Sequence, residues 1–167
     1  MTVRQRAMQD LAAALTEFHG AAEPDGAAAL CRGVCRALGQ LGYASLAEFS
    51  LANGRRADVI ALGRNGEVVI VEVKSSLADF RTDHKWPDYR EFCDRLYFAV
   101  GEGFPRDVLP AECGVLVADG YGAAILREPA PHKLAPARRK ALTLRFGLAA
   151  AGRLRRLTDP GAGDGLF

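Results

Sequence analysis

The stretch that most constrains the fold is residues 54–76, GRRADVIALGRNGEVVIVEVKSS. Two short apolar runs, RADVIAL and EVVIVEVK, flank the turn-forming GRNG, and a third run, YASLAEFSL, precedes them across ANGR. Short extended runs separated by glycine- and asparagine-containing reversals predict an antiparallel meander of three strands. The middle and last runs each carry an acid among apolar residues, Asp58 and Glu72, and Lys74 follows Glu72 by two. Burying a carboxylate is costly unless a positive group neutralises it. The arrangement therefore asks for a cation.

Whether the acids meet depends on register, because side chains alternate along a strand. A two-residue Asn65-Gly66 turn would set Asp58 opposite Val73 and separate the carboxylates. A three-residue loop, Arg64-Asn65-Gly66, with glycine in the left-handed bulge position, sets Asp58 opposite Glu72. The same loop form at Ala52-Asn53-Gly54 sets Glu48 opposite Asp58. Like charges facing across strands repel unless some are protonated or a cation lies among them. Oxygen ligands without histidine favour Mg²⁺ or Mn²⁺. The alternative is that each acid faces solvent from an open sheet; Val68 and Ile70, on Glu72's own face, argue that this face is covered. Lys74 suits stabilisation of developing negative charge or orientation of a water in phosphodiester hydrolysis, and a plain ion pair with Glu72 is the alternative.

Around the meander, residues 3–18 and the run AAALCRGVCRALGQLG carry apolar residues at helical spacing. Ser76 with Asp79 three residues on predicts a capped short helix, and Pro87 in KWPDYREFC suits the first turn of another. RLYFAV, CGVLVAD and AAILRE read as strands, and APARRKALTLRFGLAAAGRL as a closing helix. The fold class is α/β, a mixed sheet flanked by helices. At 167 residues the chain suits one domain, taken as residues 1–158 with a frayed tail over 159–167, and a chain of this size buries about 70% of its unfolded surface. No apolar run approaches a spanning helix, and no signal-peptide pattern opens the chain, so a cytoplasmic protein with no membrane association is expected. Cys31, Cys35, Cys93 and Cys113 read as reduced packed thiols rather than a zinc site. From Arg127 to Arg156 nine basic residues face Glu128 alone, a segment suited either to a polyanion or to a solvated helix face.

The acid Asp58, a gap, then Glu72-Val73-Lys74 resembles the signature of the PD-(D/E)XK nuclease superfamily. The longer stretch over residues 48–100 is similar to the MmcB-type bacterial DNA-repair family within it. This resemblance implies a restriction-endonuclease-like αβββαβ core, a divalent metal (Mg²⁺ or Mn²⁺), a DNA substrate that is damaged, branched or single-stranded, and a role in repair. By motif position Asp58 and Glu72 would be metal ligands and Lys74 the catalytic lysine. Many superfamily members carry a further Glu on the first core helix. The matching helix here has none, and register makes Glu48 the candidate third ligand. Lys85 and Tyr89 are similar to a polar-X-X-X-Tyr element of some members, and with Arg55 and Arg56 they are second-tier DNA-contact candidates. His84 in a loop is expected to be solvated, Trp86 to anchor that loop, and His19 and His132 to carry no role. The function expected is a metal-dependent DNA nuclease; the alternative is a non-hydrolysing DNA-binding or structure-sensing subunit. A homodimer and other repair proteins are the further partners to look for.

Overall fold

The computed structural model describes residues 26–161, so the predicted helix over 3–18, His19 and most of the predicted tail lie outside the described residues. Within the described residues six strands form one sheet in the order β1 to β6: Tyr43–Ser50, Arg56–Gly63, Val68–Lys74, Arg95–Val100, Gly114–Ala118 and Ala123–Arg127. The first three strands form the antiparallel meander, β3–β4 and β4–β5 are parallel, and β5–β6 is antiparallel. Helix α1 (Ala27–Gln40) covers one face. The other is covered by α2 (Leu77–Thr82), a 3₁₀ helix (Trp86–Phe92) and the long α3 (Pro136–Thr158).

Both reversals of the meander take the three-residue form. Gly54 and Gly66 sit at φ +80° and +81°, the left-handed conformation that costs glycine nothing. Leu51 N–H bonds Arg55 O at 2.8 Å and Gly63 N–H bonds Glu67 O at 2.8 Å, closing each loop over three residues. The resulting registers pair Ala47 with Val59 and Val59 with Val71. Strand β3 then alternates as expected, with Val68 and Ile70 in the core layer under α3 and the 3₁₀ helix, and Val69, Val71 and Val73 in the layer under α1. Full burial of such side chains stabilises by about 1.5–3 kcal/mol each.

Three elements differ from expectation. The KWPDYREFC segment forms a 3₁₀ helix over Trp86–Phe92 rather than an α-helix, with Pro87 in its first turn as expected and Lys85 just outside it. The closing helix runs on to Thr158, because nothing between Leu154 and Pro160 breaks it. Strand β1 does not alternate evenly: Glu48 takes φ +48°, and Leu46 and Phe49, an odd step apart, both pack into the layer of Ile60 and Ile70. A non-glycine residue in this region costs about 1 kcal/mol. Here the backbone is held by Arg153, which donates to the Ala47 carbonyl at 2.6 Å and the Glu48 carbonyl at 2.9 Å.

Two contacts fix the outer layers. Gly33 of α1 lies so close to the β5–β6 corner that a Cβ there would fall 2.0 Å from Asp119 O and 2.5 Å from Gly122 O, and Arg32 and Arg36 both donate to Gly120 O. On the opposite face Asp94 receives the Arg139 guanidinium as a fork at 2.6 and 2.7 Å, together with the N–H groups of Val68 and Leu134. Burial alone would raise the Asp94 carboxyl; the Arg139 bonds and the two amides outweigh it and hold the group down at about 2. A depressed carboxyl contributes stability that is present above its ordinary value near 4 and lost as pH falls toward 2. Asp94→Ala is expected to lower unfolding stability by about 2–3 kcal/mol at pH 7, because two amides and a guanidinium lose their acceptor together. Urea denaturation measures it, and a change below about 0.5 kcal/mol would show the clamp to be idle.

Candidate active site

The β2–β3 ladder ends at Val59 and Val71. Beyond it the strands splay, and the two acids fill the gap reciprocally: Asp58 N–H donates to Glu72 Oε1 at 3.3 Å, while Asp58 Oδ2 accepts from Val73 N–H at 2.8 Å. Each carboxylate thus replaces a missing ladder bond and keeps its other oxygen for a further partner. They face a cleft of about 760 Å³ at the end of the sheet. The amino end of α1 (Ala27, Ala28, Cys31) lines one side, and α2 with the loop after it (Asp79, Thr82, Asp83, Lys85) lines the other.

Among the described residues the buried charged side chains are Glu72, 3% exposed, and Lys74, 5% exposed. Solvation of an open sheet face is thereby ruled out for Glu72. Burial first, and the Asp58 charge second, push the Glu72 carboxyl up to about 8; burial likewise raises Asp58. Lys74 pairs with Asp83, Nζ to Oδ2 at 2.5 Å, rather than with Glu72. Burial would lower the Lys74 ammonium, but the Asp83 hydrogen bond and charge outweigh it and hold it above its ordinary value. Asp83 Oδ1 also accepts from Lys85 N–H at 2.8 Å, so the loop residue is fixed on both oxygens.

The remaining candidates lie around this centre. Tyr89 is buried, lines the cleft and donates its hydroxyl to Arg56 O at 3.0 Å; burial and the Glu72 and Asp58 charges push its phenol up. Arg55 is engaged by Asp88 at 2.8 Å. Lys85 is exposed at the rim. Trp86 packs edge-on against Phe98, with ring centroids 6.1 Å apart, the anchoring role expected of it.

Glu48 lines the same cleft but stands apart from the two acids. Its register is the one expected, yet its left-handed backbone leaves the side chain 68% exposed at the cleft rim, 3.5 Å from Arg56. Among the described residues no three His, Cys, Asp or Glu side chains converge closely enough to hold an ion by themselves. The structure brings together Asp58 and Glu72, with Lys74 beside them, and does not bring Glu48 to them. Asp83 is a site residue that the sequence did not single out. Its signal was faint, an acid closing a short helix after the third strand, nine residues beyond Lys74.

A meander feeding a parallel crossover, with acids and a lysine at the ends of its second and third strands, makes this an α/β protein consistent with a restriction-endonuclease-like core. The chain belongs to the MmcB-like DNA repair protein family, whose model matches residues 16–161. A solved structure of a protein of unknown function from Silicibacter pomeroyi is similar to it at 49% sequence identity and a TM-score of 0.79, over 87% of this chain and 97% of that one. No curated protein matches the chain. Among the described residues no helix is long and apolar enough to cross a membrane.

Proposed function

We propose that this protein is a metal-dependent DNA nuclease that hydrolyses phosphodiester bonds in DNA repair. The observation that carries the reading is the reciprocal Asp58–Glu72 pair at the splayed strand ends, facing a cleft beside the buried Lys74. The donor set fits Mg²⁺ or Mn²⁺: both groups are hard oxygen donors whose charged forms burial disfavours, and Mg²⁺ commonly takes one or two carboxylates and fills its remaining positions with water and substrate phosphate. A cation bound there supplies Lewis-acid activation of water and charge compensation at the phosphate.

The chain's own groups do the rest. Asp58 and Glu72 fix the position of the centre relative to the sheet, since each is tied to the opposite strand. Lys74, held by Asp83, presents fixed positive charge where negative charge develops on the phosphate. Lys85 and Arg56 stand at the rim as phosphate contacts, with Arg55 next in the chain; the arginines are already oriented by Glu48 and Asp88. Tyr89 braces β2 through the Arg56 carbonyl.

Purified protein with Mg²⁺ or Mn²⁺ is expected to cut at least one of nicked, branched or single-stranded DNA, and Asp58→Asn is expected to reduce cutting by at least about 10²-fold and to weaken Mn²⁺ binding measured by calorimetry. Undiminished cutting by Asp58→Asn would sink the assignment. The Lys74–Asp83 pair also favours a second reading, a DNA-binding repair subunit that does not hydrolyse, because a lysine already neutralised by its neighbour offers less charge to substrate. That reading predicts DNA binding without cutting in either metal.

A further inference from the structure

Helix α3 carries seven basic residues and no acid from Pro136 to Thr158, and their engagements differ. Arg138 bonds Glu91 and Arg139 bonds Asp94. Arg153 ties the helix to β1 through the Ala47 and Glu48 carbonyls. Arg145 and Arg156 are exposed, and neither makes a hydrogen bond or ion pair among the described residues. Together with Arg153 they line a groove of about 440 Å³ between α3 and the outer strand β1. It is open where Ala149 and Gly152 line it: a Cβ on Gly152 would meet Arg156 Nη1 at 4.0 Å and nothing nearer. Glu48 lines this groove and the candidate active-site cleft alike, so the two meet at that residue.

We propose that this groove is the track along which the phosphate backbone of duplex DNA runs out of the cleft, with Arg145 and Arg156 as its phosphate contacts and Arg153 as the strut that keeps α3 against β1. The proposal rests on the reading that the cleft admits DNA, and adds where the flanking strand lies. Eleven residues of α-helix span about 16 Å, and one DNA strand rises about 3.4 Å per nucleotide, so the two free arginines bracket about five nucleotides. Positions 145, 149, 152, 153 and 156 recur at helical steps, which places them on one face. Guanidinium groups suit this task because they bind phosphate through paired N–H donors. A solvated charged helix would not need small residues on the same face as its unpaired arginines.

The test measures binding, not cutting. A fluorescent nicked duplex is titrated with the full chain in EDTA at several salt concentrations. The double variant Arg145→Gln/Arg156→Gln is expected to bind about tenfold more weakly, and its salt dependence is expected to fall by about 1.8 in log–log slope, as for two lost phosphate contacts. Gly152→Leu, which puts a bulky side chain into the groove and keeps every charge, is expected to weaken binding measurably by obstructing the phosphate path. Lys133→Gln lines a separate cleft near Asn65, at the other end of β3, and is expected to bind like the parent. Parent-like affinity and slope in the double variant, parent-like binding by Gly152→Leu, or an equal loss in Lys133→Gln would each overturn the proposal. Because no cutting is read, these outcomes stand apart from those for the nuclease: a protein that cuts normally while the double variant binds normally loses only the track.

Discussion

Replacing Lys74 with alanine is expected to slow DNA cleavage by about 10³-fold while leaving duplex affinity within about threefold, the pattern of a group whose interaction strengthens as charge develops. Lys74 is buried and bound to the half-buried Asp83 at 2.5 Å, so the variant also strands that acid without its partner. Breaking such a pair destabilises by about 3–5 kcal/mol, and a cleavage defect alone would not separate chemistry from folding. The double variant Lys74→Ala/Asp83→Asn does separate them. It removes the stranded charge and is expected to recover most of the lost stability in urea while remaining inactive. Lys74→Arg, which keeps charge on a larger and differently shaped group, is expected to recover binding fully and activity only in part. Recovery of cleavage in the double variant would show that Lys74 serves the fold alone.

The second large effect concerns Glu72 and pH. Its carboxyl is held near 8 in the folded protein by burial and the Asp58 charge, against about 4.3 for an unperturbed glutamate. Between those values the folded state keeps a proton that the unfolded chain releases. Stability of the metal-free protein is therefore expected to be highest below about pH 4.5 as far as this group is concerned, to fall as pH rises through about 8, and then to level off, with a total loss on the order of 3–5 kcal/mol. Asp94 works in the opposite direction but only at the acid extreme, so the two effects occupy different pH ranges. Glu72→Gln is expected to abolish the decline and to be more stable than the parent above pH 8. Mn²⁺ at a hundredfold excess over its dissociation constant is expected to stabilise the parent by about 2.7 kcal/mol and the variant by far less. Thermal unfolding at pH 5, 7 and 9, with and without Mn²⁺, reads all of these. A parent whose stability does not change between pH 5 and 9 would show that Glu72 is ionised at no cost, and its burial would then no longer call for a cation at that position.

Much of the site's frame was legible because it depends on local chemistry. Gly54 and Gly66 close their loops over three residues, and once the loop length is known the meeting of Asp58 with Glu72 follows from alternation alone. Alternation failed at Glu48, where a left-handed residue breaks the period and sends Phe49 to the core; no turn residue marks that position, and the bonds from Arg153 that hold it come from more than a hundred positions away. The splaying of β2 from β3 was likewise hidden, since it consists of side chains taking over backbone bonds. Lys74's partner was not legible: Glu72, two residues away on the same strand face, is the nearest pairing a sequence offers as the alternative to a catalytic role, whereas Asp83 arrives by way of a helix and a turn. The clamp of Arg139 on Asp94 spans forty-five positions and has no local signature. The basic character of α3 could be counted in advance. Which arginines are spent on packing, and which are left over, required the tertiary structure.

The close seat of Gly33 on the β5–β6 corner has an effect at a distance. It locks α1 to the far margin of the sheet, so the wall that bears Cys31 takes its height and tilt from a bend that touches neither acid. Lengthening the Asp119–Gly122 bend, or placing any side chain at position 33, would lift that helix and widen the mouth with every residue inside it unchanged. The width of the cleft is thus set in part at a corner remote from Asp58 and Glu72.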